Sequence, residues 1–317
     1  MFRDLADFVL VWPFKHFGER YSSVEWGELA TCGPPVPVLY LQPHTQYAEE
    51  QAATIAEYPG RFILITGNCD IAIPTHFPDL LANPNLVKWY GVNNDVLPLH
   101  PKVVPIPLGL NCYEGAVSME AVYDAKPGVL TTSAKLKGKL FLICFSLKTY
   151  WAREAVSDFF CKPGSPLSPS STCVFNPRAK PPIVKKKLQN VQVYQMMQEH
   201  MYVICPRGNG EDTHRTWEAL YNGAVPVLKR SKIDPIFEGL PVLFVDEYDQ
   251  KSMDPEKLTM LYETKFKPMF NDPLVKAKLS QQYWFEVIEQ ERVQELDRQG
   301  LSNFGEVRKQ CWEVTDL

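Results

Sequence analysis

The sequence predicts an α/β fold made of two parallel-sheet units in series. Three observations carry this: short apolar runs separated by helix-sized stretches, a restart of that pattern past mid-chain, and a length of 317 residues, which suits two domains better than one.

In the first unit, Val36–Leu41, Arg61–Thr66, Leu86–Tyr90 and Val103–Leu108 are apolar runs bounded by Gly, Pro or Asn, as buried strands are. An Ala/Glu-rich stretch from Tyr47 to Tyr58 and a shorter one from Phe77 to Ala82 supply the helices between them. After an irregular connection from Asn111 to Lys137 the pattern begins again. Strands are expected at Leu140–Phe145, Tyr202–Cys205, Ala224–Leu228 and Val242–Val245, and helices at Trp151–Phe160 and Thr213–Tyr221. Lys162–Ser171, rich in Pro and Ser, reads as a mobile loop. From Pro255 on the pattern is helical, with a strongly charged stretch from Glu286 to Arg298. The expected architecture is therefore two Rossmann-like domains facing across a cleft, residues 1–130 and 131–317, with the C-terminal helices on the outside.

Composition narrows the function. With 45% apolar residues and 22% charged, the chain can bury ordinary cores. A formal charge of −4 argues against a nucleic-acid binder, and the basic run Lys185–Lys187 reads as a solvated loop. The eight cysteines show no zinc spacing and several stand in apolar runs, which suggests buried thiols in a reducing compartment. The Phe8–Trp12 run is too short to cross a membrane, and no other stretch reaches the ~18 apolar residues a span needs. A soluble, cytoplasmic protein is the expectation.

The chemistry concentrates in Cys205–Glu218, which follows a strand and opens a helix. Gly208 and Gly210 allow a close backbone approach, and the first helical turn offers free N–H groups and a positive dipole end to a phosphate. Thr213 is the expected N-cap. Arg207, Asn209, His214 and Arg215 add polar groups on the same approach. Glu218, one turn beyond His214 and Arg215, can accept from the two hydroxyls of a ribose. Gly223 is expected to cap the helix C-terminally. Composition alone leaves a second reading open, a tight strand-to-helix turn with a surface Arg–Glu pair.

The stretch Tyr202–Val227 resembles the donor-binding signature of the exostosin-like glycosyltransferases, family 47: a strand ending in Cys-Pro-Arg-Gly, a helix with Arg and Glu, a small-residue turn and a Pro-Val strand. The resemblance implies a GT-B fold, a UDP-sugar donor and inversion at the anomeric carbon. It also implies that Arg207 and Arg215 face phosphate and Glu218 the ribose. The chain departs from that family in its length and in Gly210–His214, which leaves the sugar open, with xylose as the first expectation.

Ser146 and Arg153, after the first strand of the second unit, are candidates to meet the diphosphate from the other side, Arg153 ahead of Lys148 because a guanidinium spans two phosphate oxygens. Asp70, ending the second strand of the first unit, is the candidate base, with Asp212 and Glu211 as rivals and a turn-capping role as its structural alternative. His44, Asn93 and Asn94 are acceptor-side candidates, and each also reads as a turn former. Trp89 and Tyr90 stand between a sugar-stacking role and core. No Asp-x-Asp ends a strand, so transfer is expected to need no metal or cofactor beyond the donor. The expected partners are a UDP-sugar and a glycan acceptor; the alternative function is a noncatalytic carbohydrate- or nucleotide-binding protein.

Overall fold

The computed structural model describes residues 6–10, 34–43, 48–110, 138–174 and 192–301, and everything below refers to these. The α/β expectation holds. The chain divides into two compact units, residues 1–106 with 280–317, and residues 107–279. The division thus falls after Ile106 rather than at 130, and the last helix belongs to the first unit.

The first unit carries a fully parallel five-stranded sheet in simple sequence order, β1 (Phe8–Leu10), β2 (Val38–Leu41), β3 (Phe62–Thr66), β4 (Leu86–Gly91) and β5 (Val103–Pro105). β1 was legible only as an apolar run too short for a membrane; Phe8 pairs with Leu39. Every residue of β2 and β3 is buried, as expected of a parallel sheet covered on both faces. Helices α1 (Ala48–Ala56) and α2 (Pro78–Ala82) connect β2 to β3 and β3 to β4. Ile55 and Leu80 pack with Leu39, Leu41, Leu64 and Trp89 in one core. Trp89 and Tyr90 are core residues and do not offer a stacking face.

The second unit has its own parallel sheet, with strand order β10-β9-β8-β6-β7. Its elements are β6 (Lys139–Ile143), α3 (Arg153–Cys161), β7 (Ser171–Cys173), α4 (192–199), β8 (His200–Ile204), α5 (His214–Tyr221), β9 (Val225–Lys229) and β10 (Leu243–Val245). Three helices follow, α6 (Pro255–Leu261), α7 (Lys267–Met269) and α8 (Pro273–Lys278), with Asp254 and Asp272 accepting from backbone amides at the starts of α6 and α8. Gly223 adopts φ 67°, and the Ala224 amide bonds back to the Ala219 carbonyl at 2.9 Å, which is the predicted C-terminal cap.

The Pro/Ser-rich segment differs from expectation. Cys161 and Cys173 form a disulfide that ties the end of α3 to β7, Leu167 is buried, and Ser171 Oγ donates to the Leu167 carbonyl at 2.8 Å. The cross-link supplies the order that the composition lacks, and these two cysteines are not free thiols. Cys69, Cys144 and Cys205 are free; Cys32, Cys112 and Cys311 lie outside the described residues.

The last helix, α9 (Gln281–Arg298), starts at Ser280, whose hydroxyl accepts from the Tyr283 amide. Glu295 pairs with Arg61, Glu291 with Lys88 and Arg292 with Asp7, which is the physical reason that α9 belongs to the first unit. Among the described residues no helix is long and apolar enough to cross a membrane.

Candidate functional site

In the second sheet the chain runs from β6 outward to β7, then returns to the other flank of β6 and proceeds through β8, β9 and β10. Strand order therefore reverses between β6 and β8. Right-handed crossovers in opposite directions put α3 and α5 on opposite faces, so the loops after β6 and β8 diverge and leave a crevice at the carboxyl ends. The segment singled out from the sequence follows β8 at that reversal.

One buried side chain ties the two loops together. Arg153, only 6% exposed, donates from Nη1 to the Ser146 carbonyl (2.9 Å), from Nη2 to the Pro206 carbonyl (2.8 Å) and from Nε to the Arg207 carbonyl (2.7 Å). Three charge-assisted hydrogen bonds make it a clamp on the backbone rather than the phosphate ligand expected of it. Gly208 follows from this: a Cβ there would come within 3.3 Å of Arg153 Nη2. Its glycine accommodates the clamp first. Ser146 is exposed, and its Oγ accepts from the Lys148 amide at 3.3 Å.

Arg207 is the partly exposed cation of the crevice. Its guanidinium lies 4.7 Å over the Tyr150 ring, pairs with Glu211 and donates to the Asn209 carbonyl at 3.2 Å. Its Nε and the Thr149 hydroxyl are buried without a protein partner. Thr213 occupies the N-cap position of α5 with extended backbone, but its hydroxyl meets Thr216 Oγ1 at 3.2 Å instead of a helix amide. His214 Nδ1–H donates to the Gly109 carbonyl at 2.7 Å, a partner that assigns the proton to Nδ1.

Glu218 is buried and doubly engaged: Oε1 accepts from the Tyr194 hydroxyl at 2.9 Å, and Oε2 lies 3.0 Å from Arg215 Nη1. Burial and the neighbouring carboxylate push the Tyr194 hydroxyl above its ordinary pKa, so it stays a donor. Tyr194 stands 24 residues before Glu218 on α4 and carries no local signal. Burial likewise raises Cys144 and Cys205, which serve as neutral packing at the ends of their strands.

The acid candidates separate. Asp212 is 3% exposed; its carboxylate accepts from the Trp217 indole (2.8 Å) and from the Leu108 amide (2.8 Å). Burial lifts its pKa to about 6 against the pull of those donors. It latches the start of α5 to the chain near Leu108 and is turned away from solvent, unlike a base that must reach a substrate hydroxyl. Glu211 stays at the crevice beside Arg207. Asp70 is exposed at the carboxyl end of the first unit's β3. Asn93 and Asn94 are buried, and their amides donate at 2.8 Å to the carbonyls of Cys69 and Val96, so they brace loops instead of facing a sugar. His44 lies outside the described residues. Among the described residues no three His, Cys, Asp or Glu side chains gather where they could share a metal ion.

A pocket of about 660 Å³ opens at the crevice. It runs from Tyr150, Trp151 and the first turns of α3 past Arg207 to the ends of β9 and β10, where Arg230 and Tyr248 stand. Sequence reasoning did not single out Trp151.

No protein-family model matches the chain, and no curated protein sequence matches it. The family 47 resemblance therefore rests on its 26 residues alone. Among solved structures the chain is similar to an α,α-trehalose-phosphate synthase (UDP-forming) from Burkholderia xenovorans in complex with glucose-6-phosphate. The identity is 11% and the TM-score 0.44, over 85% of this chain and 76% of that one. A likeness of this size assigns neither a fold family nor an activity.

Proposed function

We propose that the chain is a glycosyltransferase of the GT-B class that holds a UDP-sugar at the loop 205–213 and the start of α5. One observation carries the reading: the stretch that resembles a donor-binding signature follows β8 where the order of the second sheet reverses, the position at which open α/β sheets take their ligands. Arg207 and the amide-rich start of α5 meet the diphosphate, and Arg153 holds both loops in place for it. The Glu218 carboxylate, oriented by Tyr194 and Arg215, is the group for the ribose hydroxyls.

In this reading the transfer inverts the anomeric carbon without a metal, Asp70 takes the acceptor proton, xylose is the first candidate sugar, and the acceptor is a glycan hydroxyl. The Cys161–Cys173 disulfide favours an oxidising compartment over the cytosol expected from the sequence. A thermal-shift screen with UDP, GDP, UDP-xylose, UDP-glucose, UDP-galactose and UDP-glucuronate tests the donor. A ligand at a hundred times its Kd stabilises by about 2.7 kcal/mol. Stabilisation by UDP is expected; stabilisation by GDP and not UDP overturns the assignment.

A second reading, a noncatalytic binding protein of the same fold, is favoured by one observation: Asp212, Asn93 and Asn94 are spent on internal hydrogen bonds. Asp70 then decides, because its substitution has no turnover to remove in that case.

A further inference from the structure

We propose that the pocket beside Arg207 is a glycan subsite that takes a neutral sugar ring on the face of Trp151. Trp151 is 82% exposed, more than any other large apolar side chain among the described residues. The other exposed ones, such as Met260 at 63% and Leu274 at 54%, do not line the pocket. An indole in water leaves a large apolar surface uncovered, and here that surface lies at the mouth of a cavity of about 660 Å³, large enough for a sugar residue. Tyr150 packs against it at 5.5 Å and is itself held from one side by Arg207, so the pair forms a braced platform.

The charges on the pocket wall choose between ligands. Each cation there has an acid partner: Arg207 has Glu211, Lys229 has Glu247, and Arg230 has Asp234 at 3.2 Å. With the charges of Lys229 and Arg230 met locally, that part of the wall adds little attraction for a diphosphate beyond what Arg207 offers. It does present carboxylates and cationic donors still open to water, Glu247 at 68% and Arg230 at 59% exposure. An apolar plate facing such groups suits a pyranose, whose C–H face covers the indole while its hydroxyls exchange hydrogen bonds with the rim. No residue of α5 lines the pocket, while Cys205, Pro206, Arg207 and Glu211 do, so the subsite adjoins the proposed donor loop and extends from it toward Trp151. The pocket stands without the donor reading; only its description as part of an acceptor-binding surface rests on that reading.

The test is calorimetric titration of the full chain with xylohexaose, cellohexaose and maltohexaose, and separately with UDP, for wild type, Trp151→Ala and Trp151→Phe. At least one oligosaccharide should bind, Trp151→Ala should weaken it tenfold or more, Trp151→Phe should recover part of the loss, and UDP affinity should be the same in all three proteins. Because the side chain is solvated, the variants should melt with wild type. The proposal is overturned if none of the three oligosaccharides binds wild type, if Trp151→Ala binds them unchanged, or if Trp151→Ala loses UDP instead. Oligosaccharide binding without any UDP binding sinks the donor reading and leaves the subsite standing.

Discussion

The carboxyl ends of the two sheets are built differently. In the first unit strand order follows the sequence and no reversal occurs among the described strands. The end of its central strands is filled: a Cβ on Gly91 would meet Ile73 Cδ1 at 2.3 Å, Ile73 bridges to Asn94, and Asn93 binds the Cys69 carbonyl. In the second unit the order reverses between β6 and β8, the loops part, and a buried arginine spans the gap where the first unit places apolar side chains. Two parallel sheets with five described strands each thus differ in what occupies their carboxyl ends, and the difference follows their strand order.

In the proposed reading the donor belongs to the second unit and the base to the first. The sharpest attempt to break it is Asp70→Asn. Transfer should fall by about 10²- to 10⁴-fold, the usual worth of a general base, while calorimetry finds UDP affinity unchanged. A loss of UDP affinity would place part of the donor site in the first unit and end the division.

Removing the clamp comes next. Arg153→Ala leaves three carbonyls without their donor, that of Pro206 buried and those of Ser146 and Arg207 part-buried, and should cost roughly 3–5 kcal/mol in denaturant unfolding, with UDP binding lost. Lysine, with a single donor head, should restore little of it. An Arg153→Ala protein with full stability and UDP affinity would mean that the two loops hold themselves apart unaided.

Asp212 gives a pH signature belonging to the second unit. Its folded pKa of about 6 stands above the ordinary 3.8. The folded state therefore holds the proton more tightly than the unfolded one, and the stability this confers below pH 3.8 drains away as pH rises through about 6. The difference in unfolding free energy between wild type and Asp212→Asn should fall by on the order of 3 kcal/mol over that window and then level off. A flat difference would show that the carboxylate is solvated. The smallest expected effect is that of Cys161→Ser: opening the short loop closed with Cys173 should lower stability by roughly 2–3 kcal/mol, read by the same denaturant unfolding under non-reducing conditions.

Much was legible where the signal is local. Apolar runs between breakers marked β2 to β6 and β8 to β10, helical spacing marked α5 and the terminal helices, and Gly223 announced its own left-handed turn. These follow from periodicity, propensity and backbone sterics within a few residues, which any stretch of chain carries with it. β1 and β7 are no shorter than β5 and β10, but β1 read only as an isolated apolar run and β7 directly follows a Pro/Ser-rich stretch; pairing with β2 and β6 makes them strands.

What the tertiary structure alone decided is where each side chain spends its bonds. Arg153 reaches Pro206 across 53 positions, Asp212 meets Leu108 across 104, and Tyr194 finds Glu218 across 24. From sequence, Arg153 and Asp212 read as a phosphate ligand and a possible base; folded, one is a clamp and the other a latch. A polar residue type determines which bonds can form, and the order of strands in the sheet determines which partner arrives to form them.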